Sequence, residues 1–141
     1  MSTYISESLR QKIIERDKSR CCYCLTSEAN SGIPMTYDHI HPVSKGGETT
    51  FENLCLACRS CNEFKSDTIE SIDPLSGETI QLFNPRKQKW TDHFEWSADG
   101  TRLEGINAIG RTTIVKLRIN HPVILIARKR WVISGWHPPL D

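Results

Sequence analysis

Apolar residues recur at helical spacing near the start of the chain. Leu9, Ile13 and Ile14 lie on one face of a helix with 3.6 residues per turn, and most of the other positions are polar or charged. Ser6 stands where a side-chain oxygen commonly accepts a free backbone N–H of the first turn. The pattern therefore predicts an amphipathic helix over residues 6–17.

A different pattern follows, in which two short runs typical of β-strands precede a helical segment. Residues 35–40 and 53–57 are predicted to form two antiparallel strands joined by an open loop that contains a Gly-Gly pair. Residues 59–70 are predicted to form a short helix. Alternation along the first strand places Asp38 and His39 on opposite faces, unless the strand ends or bulges there.

The second half of the chain is rich in β-branched residues and turn signals. Asp99-Gly100 is a strong hairpin signal, and Asn120, just before Pro122, has the pattern of a helix N-cap. We expect three short strands, over residues 80–83, 93–96 and 102–106. Residues 111–119 and 122–131 are interpreted as helices, with strands as the alternative because both segments are rich in β-branched residues.

Charge is distributed unevenly along the 141 residues. Residues 1–85 carry 8 Lys and Arg against 12 Asp and Glu, whereas residues 86–141 carry 10 against 5. A basic surface in the second half is therefore available to a polyanion. We expect a core over residues 1–72 and, over residues 73–141, a basic extension of a hairpin and helices that packs on the core.

The sequence predicts neither a secretory signal nor a membrane span. Its first ten residues lack the basic and apolar regions of a signal peptide, and no apolar run reaches about 18 residues. We therefore expect a cytoplasmic location, where cysteine pairs bind metal more often than they form disulfides.

Six cysteines are present, and four of them form two Cys-x-x-Cys pairs. The pairs are Cys21 with Cys24 and Cys58 with Cys61. Four thiolates give the closed tetrahedral set that a structural Zn²⁺ prefers, so we expect one structural zinc. Cys22 and Cys55 are interpreted as small buried apolar residues.

An acid, a base and two amides lie on a short stretch that begins in the first predicted strand. His39 is a candidate general base, because an imidazole titrates near neutral pH. Asp38 and the side-chain carbonyl of Asn62 are hard oxygen donors that suit Mg²⁺. Asn53 is expected to fix the loop backbone and so orient His39. Lys65, one helical turn beyond Asn62, is expected to face a phosphate.

These motifs occur together in a known family. The sequences D-H-I, N-L and A-C-x-x-C-N-x-x-K, preceded by R-C-x-Y-C, resemble those of the HNH endonucleases over residues 15–68. The later sequence L-F-N-P-R-x-Q-x-W-x-x-H-F-x-W, with G-R-T-T beyond it, resembles a small stand-alone bacterial subgroup more loosely.

The resemblance implies an α+β protein with a ββα-metal core, a treble-clef-like zinc site and a small α/β C-terminal extension. It implies DNA as substrate, His39 as the general base in phosphodiester hydrolysis, and Asn53 as a structural amide. Asp38 and Asn62 would hold a catalytic divalent cation, Mg²⁺ or alternatively Mn²⁺. Asn62 stands where the family also uses His, which weakens the binding of softer metals.

The basic extension has two interpretations. In the first, Arg128, Lys129 and Arg130 contact DNA phosphates. In the second, the extension only packs on the core and leaves its basic side chains in water. A stand-alone core that cuts both strands could also act as a homodimer.

Two other classes of function compete with a nuclease. A non-catalytic zinc module that binds nucleic acid explains the cysteines and the basic tail, but not the combination of Asp38, His39 and Asn62. A zinc nucleobase deaminase requires H-x-E and P-C-x-x-C. The chain has His39-Ile40-His41 and an Ala before Cys58, so both deaminase motifs are absent.

Overall fold

The computed structural model describes residues 3–141, which form two compact units. The first unit comprises the chain up to Ile69 together with Asn84–Gln88, and the second comprises Glu70–Phe83 and Lys89–Asp141. The chain therefore leaves the first unit, returns to it for one short segment and leaves it again. The predicted boundary between residues 72 and 73 separates two domains, and this division into domains stays a prediction.

Helix α1 (Glu7–Arg16) opens the first unit and confirms the predicted amphipathic helix. The Ser6 hydroxyl accepts the backbone N–H of Leu9 at 3.2 Å, as expected for an N-cap. Ile13 is fully buried, whereas polar side chains of the helix are exposed. At its end, the Arg16 guanidinium donates to the carbonyls of Phe51 and Leu54, which ties the helix to a distant part of the chain.

Two short antiparallel strands form the centre of the first unit. Strand β1 (Thr36–His39) pairs with β2 (Leu54–Ala57), and His39 lies opposite Leu54. Every residue of β2 is buried, because both neighbouring helices of the unit contact it. On β1 Asp38 is buried and the other three residues are half-buried. Asp38 and His39 are neighbours in a regular strand and therefore point to opposite faces, as predicted.

Two further helices complete the first unit. A four-residue helix α2 (Glu28–Ser31), which the sequence pattern did not predict, precedes β1. Helix α3 (Arg59–Lys65) is shorter than the predicted segment of residues 59–70. The chain turns at Ser66, whose φ of 49° is incompatible with a right-handed helix. The residues after it were expected to be helical, but they lead into a strand.

The second unit contains two antiparallel hairpins and two helices. The hairpin predicted around Asp99-Gly100 is present, and so are both predicted helices. The elements are β3 (Glu70–Ile72) paired with β4 (Thr79–Gln81), β5 (Phe94–Trp96) paired with β6 (Leu103–Gly105), α4 (Ala108–Lys116) and α5 (Pro122–Ile133). Strand β3 was missed, because Glu70 was assigned to the predicted helix and residues 71–72 to the turn after it.

The predicted N-cap of α5 is wrong. The cap residue is His121, whose Nδ1 accepts the N–H of Val123 at 3.2 Å. Asn120 instead uses its side-chain amide to pair with both the N–H and the carbonyl of Leu103, at 2.9 and 2.8 Å. A partner 17 residues away therefore decides the role of Asn120, which local sequence does not reveal.

Candidate active site

The four paired cysteines converge in the first unit. The sulphur atoms of Cys21, Cys24, Cys58 and Cys61 all lie within 4.8 Å of one another. The Sγ atoms of Cys24 and Cys58 are 3.7 Å apart, and none of the four forms a disulfide. The predicted pairing of two distant Cys-x-x-Cys motifs is therefore confirmed.

The donor set fits a zinc ion. A tetrahedral Zn²⁺ with Zn–S distances of about 2.3 Å places its sulphurs about 3.8 Å apart, close to the spacing observed between Cys24 and Cys58. Backbone N–H groups also point at the sulphurs, from Cys24 to Cys21 at 3.5 Å and from Cys61 to Cys58 at 3.4 Å. Such N–H groups favour thiolates over thiols. Hydrogen bonds from Cys21, Cys58 and Cys61 lower the pKa of Cys24, whereas burial raises the pKa of Cys21 and hydrogen bonds with the neighbouring thiols raise the pKa of Cys61.

The two remaining cysteines lie outside this cluster. Cys55 is fully buried, as expected for a small apolar residue. Cys22 is only half-buried, and its sulphur lies 3.7 Å from a guanidinium nitrogen of Arg86. The predicted burial is therefore confirmed for Cys55 but is wrong for Cys22. The Cys55 sulphur also lies 3.8 Å from the Tyr23 hydroxyl and 3.9 Å from Asp38 Oδ2.

The candidate base lies at the last residue of β1, where the strand ends. The His39 side chain is half-buried, and its Nε2 lies 2.9 Å from the hydroxyl oxygen of Thr49. Burial lowers the pKa of His39, the Asp38 carboxylate opposes this shift, and Lys65 adds to it. The net pKa lies below the ordinary value, so the imidazole is mainly neutral at pH 7.

The amide of Asn53 holds both ends of the loop that follows His39. Its Oδ1 accepts the N–H of His41 at 2.9 Å, and its Nδ2 donates to the carbonyls of His41 and Glu48 at 3.0 and 2.8 Å. Only an amide offers an acceptor and two donors on one short side chain. The loop carries no regular pairing of its own beyond one short 3-10 turn, so Asn53 closes it.

Asp38 faces the interior, where both carboxylate oxygens have partners. The Tyr23 hydroxyl donates to Oδ2 at 2.6 Å, and the Lys65 ammonium lies 3.2 Å from each oxygen. Burial raises the pKa of Asp38, while the Lys65 charge and the hydrogen bonds from Tyr23 and Lys65 oppose that shift. The group is thus a paired charge in a low-dielectric environment.

Lys65 does not face a phosphate, and that expectation is wrong. Its side chain is 2% exposed, and its Nζ also donates to the carbonyls of His39 and Ile40 at 3.2 and 3.3 Å. The spacing of Lys65 and Asn62 on α3 was correct. However, the helix turns this face onto β1 rather than towards solvent.

Asn62 occupies the same face of α3, one turn before Lys65. Its Nδ2 donates to Thr36 Oγ1 at 2.8 Å, and Thr36 Oγ1 in turn donates to the carbonyl of Ala57 at 2.7 Å. No hydrogen bond to Asn62 Oδ1 occurs among residues 3–141, so this carbonyl oxygen is available to a ligand. Thr36 and Asp38 share one face of β1, which brings Asn62 and Asp38 to the same strand–helix interface.

Sequence reasoning missed two side chains that touch these residues. Thr49 contacts the imidazole of His39, and Tyr23 contacts the carboxylate of Asp38. Tyr23 lies inside the first cysteine pair, and this position was a usable signal. Thr49 stands in a polar loop, where nothing in the local pattern distinguishes it from Thr50.

The three basic residues proposed for DNA contact differ in exposure within the second unit. Arg128 is fully buried, and its guanidinium donates to the carbonyls of Ile119 and Thr101 at 2.8 and 3.2 Å. It is therefore a structural residue, and its predicted phosphate contact is wrong. Lys129 and Arg130 are both exposed.

No helix in the described part of the chain is long and apolar enough to cross a membrane.

Helices with small antiparallel sheets make this an α+β protein, as expected, with a four-cysteine cluster compatible with zinc. Residues 21–68 match the family model described as HNH endonuclease. The chain therefore carries an HNH endonuclease domain over this segment, which is the family that the motifs indicated. In comparisons with curated proteins and with solved structures, nothing matches the chain. The domain suggests nuclease activity.

Proposed function

We propose that this protein is a metal-dependent endonuclease that hydrolyses phosphodiester bonds in DNA. The observation that carries the proposal is the position of His39 within the matched HNH segment. His39 is the half-buried last residue of β1. Burial lowers its pKa, and its Nε2 forms a hydrogen bond with the Thr49 hydroxyl. A neutral, oriented imidazole is what a general base requires.

His39 removes a proton from a water molecule as that water attacks phosphorus. Because burial lowers the pKa of His39 from its ordinary value, the imidazole is mainly unprotonated at pH 7 and accepts this proton. Asn53 supports the step indirectly, because it closes the loop that begins directly after His39. We therefore assign His39 a catalytic role and Asn53 a structural one.

Asp38 and Asn62 are the residues that would hold a divalent cation, Mg²⁺ or Mn²⁺. Both belong to the β1–α3 interface, and the Asn62 carbonyl oxygen has no hydrogen bond among residues 3–141. The Asp38 carboxylate is 3% exposed and paired with Lys65, so a bound cation would replace the Lys65 ammonium as its partner. Hard oxygen donors of this kind suit either ion. When bound, the cation neutralises charge on the phosphate and stabilises the leaving oxygen.

The decisive experiment compares two histidine variants on supercoiled DNA with Mg²⁺. His39→Ala should reduce the cleavage rate by about 10²–10⁴-fold, the usual contribution of a general base. His41→Ala is the matched control, because His41 is exposed two residues away and its ring bonds only the Lys45 carbonyl in the described chain. Equal cleavage by His39→Ala and wild type would contradict the proposal.

Asp38→Ala and Asn62→Ala should raise the Mg²⁺ concentration required for cleavage.

A second candidate function is favoured by one specific observation. Lys65 already neutralises Asp38, so the carboxylate has a cationic partner without any metal. A non-catalytic zinc module that binds DNA would keep this arrangement permanently. Binding of DNA with no cleavage in either Mg²⁺ or Mn²⁺ would select this alternative over the nuclease.

A further inference from the structure

The imidazole of His39 is held at one nitrogen only. Its Nε2 lies 2.9 Å from Thr49 Oγ1, across the loop that begins after β1. Among residues 3–141, no other hydrogen bond to the ring is present. Nδ1 is therefore the ring nitrogen that can form a hydrogen bond with water.

We propose that Thr49 is a positioning residue, whose hydroxyl accepts the Nε2–H of His39 and so presents an unprotonated Nδ1 to water. The inference rests on the proposed function, in which His39 is the base. A neutral imidazole carries one proton, and a ring with that proton on Nδ1 could not accept another there. The productive tautomer therefore needs an acceptor at Nε2, and the Thr49 hydroxyl supplies it.

The loop is built to hold Thr49 in this place. Asn53 binds the residue on each side of it, because its Nδ2 donates to the Glu48 carbonyl at 2.8 Å and its backbone N–H donates to the Thr50 side chain at 3.2 Å. Gly47 is equally constrained, since a Cβ there would collide with the His41 carbonyl oxygen. Asn53 thus helps to orient His39 by holding Thr49 in place.

The hydrogen bond has a direct spectroscopic test that needs no cleavage. At a pH of about 8, above the ordinary pKa of an imidazole, the ¹⁵N chemical shifts of each ring report which nitrogen carries the proton. His41 is an internal reference, because its Nε2 lies 2.9 Å from the Lys45 carbonyl, which can only accept. We expect His39 to show the same Nε2–H pattern as His41.

Three variants of the loop isolate the hydroxyl. Thr49→Val removes it at nearly constant shape and should shift the His39 ring towards mixed tautomers, whereas Thr49→Ser should restore the wild-type spectrum. Ser44→Ala removes another hydroxyl of the same loop, which bonds Asp67 rather than the ring, and should leave the His39 signals unchanged. If wild-type His39 carries its proton on Nδ1, or if Thr49→Val leaves the spectrum unchanged, the inference is wrong.

Kinetics connect the hydrogen bond to catalysis. Thr49→Val should lower kcat by about 10- to 100-fold with little change in KM, as expected when a catalytic group loses its orientation, and Thr49→Ser should recover most of the loss. A lower kcat that Ser fails to rescue would overturn the role of the hydroxyl. If the wild-type protein cleaves no DNA, the proposed function fails, while the spectra still decide whether Thr49 holds His39.

Discussion

The ammonium of Lys65 lies 3.2 Å from both carboxylate oxygens of Asp38, and the two side chains are only 2% and 3% exposed. This pair connects the last residue of α3 to the middle of β1. The same ammonium also binds the carbonyls of His39 and Ile40, so it holds the strand end that carries the candidate base.

Lys65→Met should therefore destabilise the protein strongly. Removing one partner of a buried ion pair leaves an uncompensated charge and typically costs about 3–5 kcal/mol. The free energy of unfolding in urea measures the loss. Lys45→Met is the matched control, because Lys45 pairs with exposed Asp67 at 3.5 Å and its loss should have little effect. Equal, small losses in both variants would show that the Asp38–Lys65 pair is not important for stability.

Zinc content should depend on Cys58 but not on Cys22. Cys58→Ser removes one of four clustered ligands, and structural zinc in small sites contributes about 10–16 kcal/mol of binding free energy to folding. We expect purified Cys58→Ser to lose its zinc and unfold at a much lower temperature, whereas Cys22→Ser keeps one zinc per chain. Metal analysis and thermal unfolding measure both. Full zinc occupancy in Cys58→Ser would rule out the four-cysteine site.

The carboxylate of Asp17 should stabilise the first unit in a pH-dependent way. Burial raises its pKa, but a hydrogen bond from Arg16, the N–H of Leu56 and the charge of Arg86 outweigh burial and leave the pKa below its ordinary value of 3.8. A carboxyl with a lowered folded-state pKa contributes stability above its unfolded pKa, and that contribution is lost as the pH falls through the folded pKa.

Asp17→Asn should accordingly cost about 1–3 kcal/mol near pH 7, as expected when a buried charged group loses its hydrogen bonds. The difference from wild type should stay constant down to about pH 5 and shrink below about pH 4. Urea unfolding at several pH values measures it. A difference that grows towards acid pH would have the opposite sign and contradict this assignment.

Two adjacent glycines in the loop between β1 and β2 should respond differently to alanine. Gly46 has a φ of 91° and open space around it, so Gly46→Ala should cost about 1–2 kcal/mol of backbone strain and little activity. At Gly47 a Cβ would collide with the His41 carbonyl, so Gly47→Ala must displace the loop. We expect cleavage by Gly47→Ala to fall by more than about tenfold. Comparable cleavage rates in the two variants would argue against a fixed loop.

The exposed basic residues of α5 provide a test of DNA binding. Lys129→Gln with Arg130→Gln should reduce the slope of log K against log salt by about 1.8, or about 0.9 for each phosphate that is no longer neutralised. Binding isotherms at several salt concentrations give the slope. An unchanged slope in a folded variant would show that these residues only face water.

Arg128→Gln should instead cost more than about 3 kcal/mol of stability, because this guanidinium is buried.

The sequence alone determined the features that depend on neighbouring residues or on a strict chemical pattern. Helix α1 and the hairpin at Asp99-Gly100 follow from local periodicity and turn chemistry. The four-cysteine cluster follows from its chemistry, because two matched thiolate pairs satisfy one tetrahedral ion wherever the chain brings them together. The motifs around His39 were also sufficient to identify the HNH domain.

Only the tertiary structure decided the partners of long or polar side chains. Lys65 and Arg128 were expected at the surface, yet each is buried by groups that are distant in sequence: Asp38 lies 27 residues from Lys65, and Thr101 lies 27 residues from Arg128. The choice of Thr49 rather than Thr50 as the partner of His39 depends on how Asn53 closes the loop. Helical spacing defines which residues share a face, but the packing of α3 on β1 decides whether that face meets water or a buried carboxylate.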